Sequence, residues 1–329
     1  MTETNGKKAS LKEDELIEKF LQLRKEGLSK GLTNDEISQA FKQNKPWTWK
    51  GLMSNSVFQS QMLLVLTAVV IATKFGVKDV LEGYVYDSKC LISNNPLFSE
   101  MARPLADCNI CKGLTSVPVE RAISTERFVE KYAYSKVPVL IKEGTSNWTA
   151  MDTFSFHFFK ELYTGTKGAL LSVEEECQFF PYKTEFETLA EAFNMSDERA
   201  ALQEGEAPWY FGWSNCHREV AAKLRSHYQR PYFLPNDSES STLDWIFMGG
   251  PGVGAFIHLD SVMRPSWQAQ ISGAKTWQLI PSPECESVCH SMNVTVNKGD
   301  IIVVDTNEWY HSTFIHPGEL SITIGSEYD

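Results

Sequence analysis

His258, Asp260 and His311 are the residues of this 329-residue chain whose types and spacing first suggest chemistry. The first two stand as His-x-Asp in GAFIHLD, and the third follows in GDIIVVDTNEWYHST. Two imidazoles and one carboxylate form the facial set that holds mononuclear non-haem Fe(II) and leaves the opposite positions open. On an extended strand residues i and i+2 point to one face, so His258 and Asp260 can turn inward together from a strand or its end. The third ligand must come from another strand, which a β-barrel can bring alongside. A surface histidine followed by a turn aspartate has the same tripeptide. His290 and His316 are rival third ligands. His316 falls in the turn-like IHPGE and His290 sits beside Cys289 in a loop, whereas His311 follows the strand-like GDIIVVD. His157, His217 and His227 read as structural or surface histidines.

The elements that must position the three residues are short strands. IFMGGPGVGAFIHLD, SWQAQISGAKTWQLIP, VNKGDIIVVDTNEWYHSTF and LSITIG read as strands parted by Gly, Pro and Asn turns. The fold expected is mainly β with flanking helices, a double-stranded β-helix of the jelly-roll, cupin-like kind. STERFVEKYAYSKVPVLI reads as a helix ending before a strand, and MDTFSFHFFKELY and FETLAEAFNM read as amphipathic helices of the flank.

Five segments, WYFGW, YQRPYFLPND, WIFMGGPGVGAFIHLD, SWQAQISGAKTWQLIP and GDIIVVDTNEWYHS, carry a resemblance to the JmjC family of Fe(II)- and 2-oxoglutarate-dependent oxygenases. The pattern is most similar to the subgroup containing an arginine demethylase and lysyl hydroxylase first described as a phosphatidylserine receptor. The resemblance covers roughly residues 121–329. It implies His258, Asp260 and His311 as iron ligands and Lys275 as the partner of the far carboxylate of 2-oxoglutarate. It further implies Tyr210, Thr323 and Gln268 as polar residues of the same pocket. Lys275 also suggests this from first principles. It lies in an otherwise apolar strand, and an unpaired buried charge is costly. A solvent-facing lysine beside the Gly273 turn is the other reading. One position departs from the family: three residues before the first ligand, where a threonine often contacts the cosubstrate, this chain has Ala255.

The implied activity is hydroxylation, or demethylation, of a side chain on a protein or peptide, with Fe(II), 2-oxoglutarate and O₂. Two readings from other classes stand beside it. One is a cupin-fold binding protein without turnover. The other is a zinc or manganese cupin enzyme that does not use 2-oxoglutarate.

Positions 51–73 hold no charged residue, and their centre is MLLVLTAVVIA. A membrane-spanning helix needs roughly 20 predominantly apolar residues. Lys42, Lys45 and Lys50 precede the stretch, which points to a cytosolic N-terminus. All seven cysteines and all four Asn-x-Ser/Thr sequons (Asn147, Asn194, Asn236, Asn293) follow it. Disulfides persist in oxidising compartments and sequons are glycosylated only in secretory ones. The expectation is a glycosylated, single-pass type II membrane protein of the endoplasmic reticulum, Golgi or cell surface, with a lumenal catalytic domain. Cys108 and Cys111 form a C-x-x-C that suits a disulfide better than half a zinc site, and Cys285 and Cys289 form a C-x₃-C.

The expected organisation is a cytosolic helical segment at 1–50, a signal anchor at 51–76, a cysteine-containing stem at 77–120 and the JmjC-like domain at 121–329. The barrel core of that domain spans about 205–329. Within the first segment, Thr33 to Glu36 reads as a capping box opening a helix, a small unit that could bind a cytosolic partner. Residues 1–50 carry a net charge of +2 and the rest −13. Such an acidic surface repels phosphate backbones and excludes nucleic acid as a favoured partner, while it would suit a basic substrate.

Overall fold

The computed structural model describes residues 13–34, 36, 100 and 103–329. The chain divides into two compact units, Met1–Ala102 and Arg103–Asp329. In the first, a helix spans Glu13–Ser29. Beyond it the capping box is formed: the Thr33 amide donates to the Glu36 carboxylate at 2.8 Å and the Glu36 amide to the Thr33 hydroxyl at 3.3 Å.

The second unit is mainly β. Its strands are β1 (Val119–Arg121), β2 (Val139–Lys142), β3 (Phe179–Lys183), β4 (Tyr210–Asn215), β5 (Asp244–Gly249) and β6 (Gly252–Val253). They continue as β7 (Ser266–Ser272), β8 (Ala274–Ile280), β9 (Met292–Asn297), β10 (Ile301–Val304), β11 (Tyr310–Ile315) and β12 (Ser321–Glu327). Eight form one sheet in the order β1-β2-β10-β7-β12-β5-β4-β3, and four form a second in the order β6-β11-β8-β9. Side chains from β8 of the smaller sheet meet β4, β7 and β12 of the larger, so the sheets face one another. This arrangement is consistent with a jelly roll.

Alternation along the strands divides the apolar residues between two cores. Trp209, Phe211, Trp213, Ile246, Met248, Ile322 and Ile324 turn outward and pack under the flanking helices with Phe128, Phe159 and Phe193. Trp277, Leu279, Val294, Val296, Ile302 and Val304 pack in a second cluster with Cys111, Cys285 and Cys289. Between β7 and β8, Gly273 turns the chain at φ +67°, and a Cβ there would lie 3.0 Å from the Glu319 carbonyl oxygen. Only glycine meets both demands at low cost.

The flank differs from expectation in detail. MDTFSFHFFKELY makes two helices, Ala150–Thr153 and Phe156–Gly165, because Ser155 is extended and caps the second by accepting from the Phe158 amide. STERFVEKYAYSKVPVLI gives one α-turn, Thr125–Phe128, then a wider π-turn, Val129–Ala133, before β2.

Residues 103–118 are fastened to the smaller sheet by disulfides, Cys108–Cys285 and Cys111–Cys289; a third joins Cys177 to Cys216. The C-x-x-C is therefore a pair of crosslinks and not half a zinc site. Cys90 lies outside the described residues.

The membrane expectation is corrected. Among the described residues no helix is long and apolar enough to cross a membrane. The helix Glu13–Ser29 has 17 residues and is crowded with charge, against the roughly 20 apolar residues a span requires. The apolar stretch at 51–73 lies outside the described residues. The type II anchor, the lumenal placement and the glycoprotein reading that leaned on it are withdrawn together.

Candidate metal centre and its buried lysine

The site is assembled where the segment after β6 meets β11. Gly252 and Val253 pair with Ile315 and Phe314, and His258 then pairs with His311 as an isolated bridge. Four residues lie between the pairs on one side and two on the other, so the longer side bulges. Phe256 and Ile257 are pushed into solvent, Phe256 to 61 % exposure. The bulge re-aims the chain so that His258 arrives opposite His311, as bulges beside active sites do. Asp260 is held by its amide, which donates to the Thr306 carbonyl oxygen at 2.9 Å.

The three side chains converge, with their donor atoms within 4.8 Å of one another. His258 Nε2 lies 3.3 Å from Asp260 Oδ1, and His311 Nε2 lies 3.8 Å from Asp260 Oδ2. Each Nδ1 faces a carbonyl oxygen two residues back: Phe256 at 2.7 Å for His258, Trp309 at 3.0 Å for His311. A carbonyl can only accept, so both Nδ1 atoms carry the proton and both Nε2 lone pairs are free to point at Asp260. That tautomer is the one a metal-ligating histidine needs. His290 is exposed on the surface, and His316 bonds the Thr276 hydroxyl at 2.8 Å. Neither joins the cluster.

The electrostatics suit a cation. Burial holds the His311 imidazole down at about 4, so it is neutral at pH 7. Burial also pulls on His258, but the Asp260 carboxylate outweighs it and raises the imidazole. Burial would raise Asp260, and the two histidines reverse this. A proton shared between His258 and Asp260 thus sits where a metal dication would displace it.

Lys275 is the second feature. It is 1 % exposed. Its ammonium donates to Gln268 Oε1 at 2.7 Å, to Thr323 Oγ1 at 3.2 Å and to the Tyr210 hydroxyl at 3.3 Å. A register shift in β12 between Ile322 and Thr323 aims the Thr323 hydroxyl at this point. Among the described residues no carboxylate pairs with the ammonium, and burial drives it down to about 7. A buried cation ringed only by neutral oxygens is costly, and an anion beside it would offset that cost. Trp277 lies between the two features. Its ring stacks on His311 at 5.5 Å and stands 5.7 Å from the ammonium, and its indole N–H is buried without a partner. An orphaned donor beside an unpaired cation fits an acceptor-rich ligand.

Thr313 belongs to the same group and is absent from the sequence-based set of site residues. It follows His311 by two positions, and its hydroxyl accepts from the Ala255 amide at 2.9 Å. The alternation that placed His258 with Asp260 would have found it on β11, once His311 was fixed.

This chain, with its His-x-Asp…His cluster, is similar in sequence to JmjC-type proteins. Among them the likeness is to the subgroup of arginine demethylases and lysyl hydroxylases. The chain is 26 % identical over 167 residues to arginine-specific demethylase JMJ22 of Arabidopsis thaliana, covering 49 % of this chain and 30 % of the relative. It is 24 % identical over 196 residues to arginine-specific demethylase JMJ20 of the same plant, covering 51 % and 42 %. It is 24 % identical over 173 residues to the bifunctional arginine demethylase and lysyl-hydroxylase psr-1 of Caenorhabditis elegans, covering 48 % and 39 %. The chain spans less than half the length of each of these relatives. Among solved structures, ycfD of E. coli matches with a TM-score of 0.40 at 16 % identity, over 64 % of this chain and 54 % of that one. No family model matches the chain.

Proposed function

We propose that this chain is an Fe(II)- and 2-oxoglutarate-dependent dioxygenase that hydroxylates a protein side chain, or demethylates one by hydroxylating its N-methyl group. The observation that carries the reading is Lys275, a wholly buried ammonium without a carboxylate among the described residues, in the same barrel as a metal-ready His258–Asp260–His311 cluster. His258, Asp260 and His311 would hold the iron. Lys275, with Tyr210, Thr323 and Gln268 around it, would hold the far carboxylate of the cosubstrate. When bound, the iron, 2-oxoglutarate and O₂ supply oxidation of a C–H bond coupled to decarboxylation of the oxoacid. The chain supplies orientation. The carbonyls of Phe256 and Trp309 fix the histidine tautomers, Trp277 walls the space toward Lys275, and the apolar barrel excludes water.

A protein substrate follows from the names of the relatives, which act on arginine and lysyl residues. A basic side chain is favoured by a second buried charge. Glu327 lies four residues beyond Thr323 on the same face of β12, is 6 % exposed, and accepts from the Trp245 indole. Among the described residues no cation pairs with its carboxylate, and a substrate cation would.

The test is anaerobic titration of 2-oxoglutarate into the Fe(II)-loaded full chain, following the metal-to-ligand charge-transfer band. A saturable band, lost in His311→Ala, is expected. Bound metal with no band would leave a zinc or manganese enzyme of another kind, and a folded chain that takes no metal would leave a binding protein.

A further inference from the structure

We propose that Thr313 is a further contact for the cosubstrate carboxylate, supplying from β11 the hydroxyl that Ala255 cannot supply from the strand opposite. The proposal rests on the 2-oxoglutarate reading of the Lys275 pocket. Along β11, His311, Thr313 and Ile315 share one face, so Thr313 stands between a metal-ligand position and the row opposite Lys275. It is 6 % exposed.

Its oxygen is engaged on the side of Ala255, and its proton is left for the side of the pocket. Its backbone N–H donates to the Ala255 carbonyl oxygen at 3.0 Å, and its Oγ1 accepts from the Ala255 amide at 2.9 Å. A hydroxyl that accepts there keeps its own proton to give. The Tyr210 phenol, which lies beside that hydroxyl, receives the Lys275 ammonium at 3.3 Å. Thr313 therefore stands opposite Trp277, two residues along β8 from Lys275, beside the network that surrounds the buried cation.

The surroundings are shaped for the hydroxyl. Gly254 lies across from it, and a Cβ at 254 would fall 2.5 Å from Thr313 Oγ1. Any other residue at 254 would push the hydroxyl out of place. Ala255, itself buried, brings only a methyl group to the same junction. A merely structural account is also available: the hydroxyl closes the open amide of the bulge and does nothing more. The two accounts differ in what they predict for ligand binding.

The experiment measures 2-oxoglutarate affinity by calorimetry on the full chain loaded with Mn(II), beside thermal stability. It compares the native chain with Thr313→Val, Thr313→Ser and the exchange variant Ala255→Thr/Thr313→Val. Thr313→Val should bind roughly tenfold more weakly, the scale of one hydrogen bond to a charged group. Thr313→Ser should bind as the native chain does, and the exchange variant should recover most of the loss. Native affinity in Thr313→Val with a lowered melting temperature would overturn the proposal and leave the structural account. If Thr313→Val does not fold, Thr313→Ala decides: a tenfold loss of affinity supports the proposal and native affinity overturns it. No binding to the native chain would instead sink the cosubstrate reading itself.

Discussion

His258 and His311 are joined by a reciprocal pair of backbone hydrogen bonds, 3.1 Å from the His258 amide to the His311 carbonyl oxygen and 2.9 Å in return. Their ring centroids are 4.3 Å apart. Two segments far apart in sequence thus present their imidazoles as one preassembled unit, fixed by main chain before any metal arrives.

Metal retention should therefore depend on pH in a defined direction. The Asp260 carboxylate raises His258, so its proton competes with the metal as pH falls from neutrality. Dialysis followed by metal analysis should find Fe(II) or Mn(II) held at pH 7.5 and released on acidification. His311→Ala should hold none at either pH. Metal retained in His311→Ala would move the third ligand elsewhere.

Lys275→Met is expected to separate stability from function. The substitution removes a charge whose burial is uncompensated, so the ligand-free protein should melt at the same temperature or higher, while 2-oxoglutarate affinity falls a hundredfold or more. The sign with pH is fixed. Burial holds the folded lysine at about 7, and the unfolded one titrates at the ordinary lysine value of 10.5. Between those values the unfolded chain binds the extra proton, so this residue makes stability rise with pH by up to about 1.4 kcal/mol per unit. That contribution should vanish in Lys275→Met denaturation curves. Cosubstrate affinity should run the other way, weakening as pH rises through 7, because the charged form is the receptor.

The two disulfides from 108 and 111 to 285 and 289 should be unequal partners in any order of removal. Each alone spans 177 or 178 residues, but once one is closed the other closes only a short ring. Chain-entropy reasoning gives about 5 kcal/mol for the first crosslink and about 2–3 for the second. Replacing either pair by alanine should cost about 2–3 kcal/mol, and replacing both more than twice that. Equal, additive losses in denaturant titrations would contradict the shared-loop account.

Asp244 anchors the larger sheet. It is fully buried and accepts from Arg225 Nε at 3.0 Å, from Asn215 Nδ2 at 3.3 Å and from the Tyr228 hydroxyl. Asp244→Ala would strand the buried Tyr228 hydroxyl and the Asn215 amide, while the half-exposed Arg225 keeps its bonds to the Ser241 and Thr242 carbonyls. The substitution should cost about 1–3 kcal/mol. The check is the unfolding midpoint of the metal-free protein.

Much of the barrel was legible because period-two alternation and turn glycines state it locally, as in SWQAQISGAKTWQLIP, which becomes β7, Gly273 and β8. Lys275, Gln268 and Thr323 are gathered around one point by the family resemblance and not by alternation. Three features were not legible. The bulge at Phe256 and Ile257 depends on a register set by β11, which no local pattern encodes. Alternation puts Thr313 on the His311 face, but its contacts with Gly254 and Ala255 are tertiary and no local pattern encodes them. The break at Ser155 hides inside a run of aromatics whose spacing suits one helix. The membrane reading, drawn from the apolar stretch at 51–73 with the cysteines and sequons after it, meets no spanning helix among the described residues.

Lys275 hangs from the smaller sheet, while Tyr210, Gln268 and Thr323, the acceptors of its ammonium, all belong to the larger one. A dianion seated there would act as a clasp between the two layers, replacing three weak neutral ties with one strong ionic tie. The single ammonium of Lys275 is then the place where the two layers meet through polar side chains of β4, β7, β8 and β12 at once.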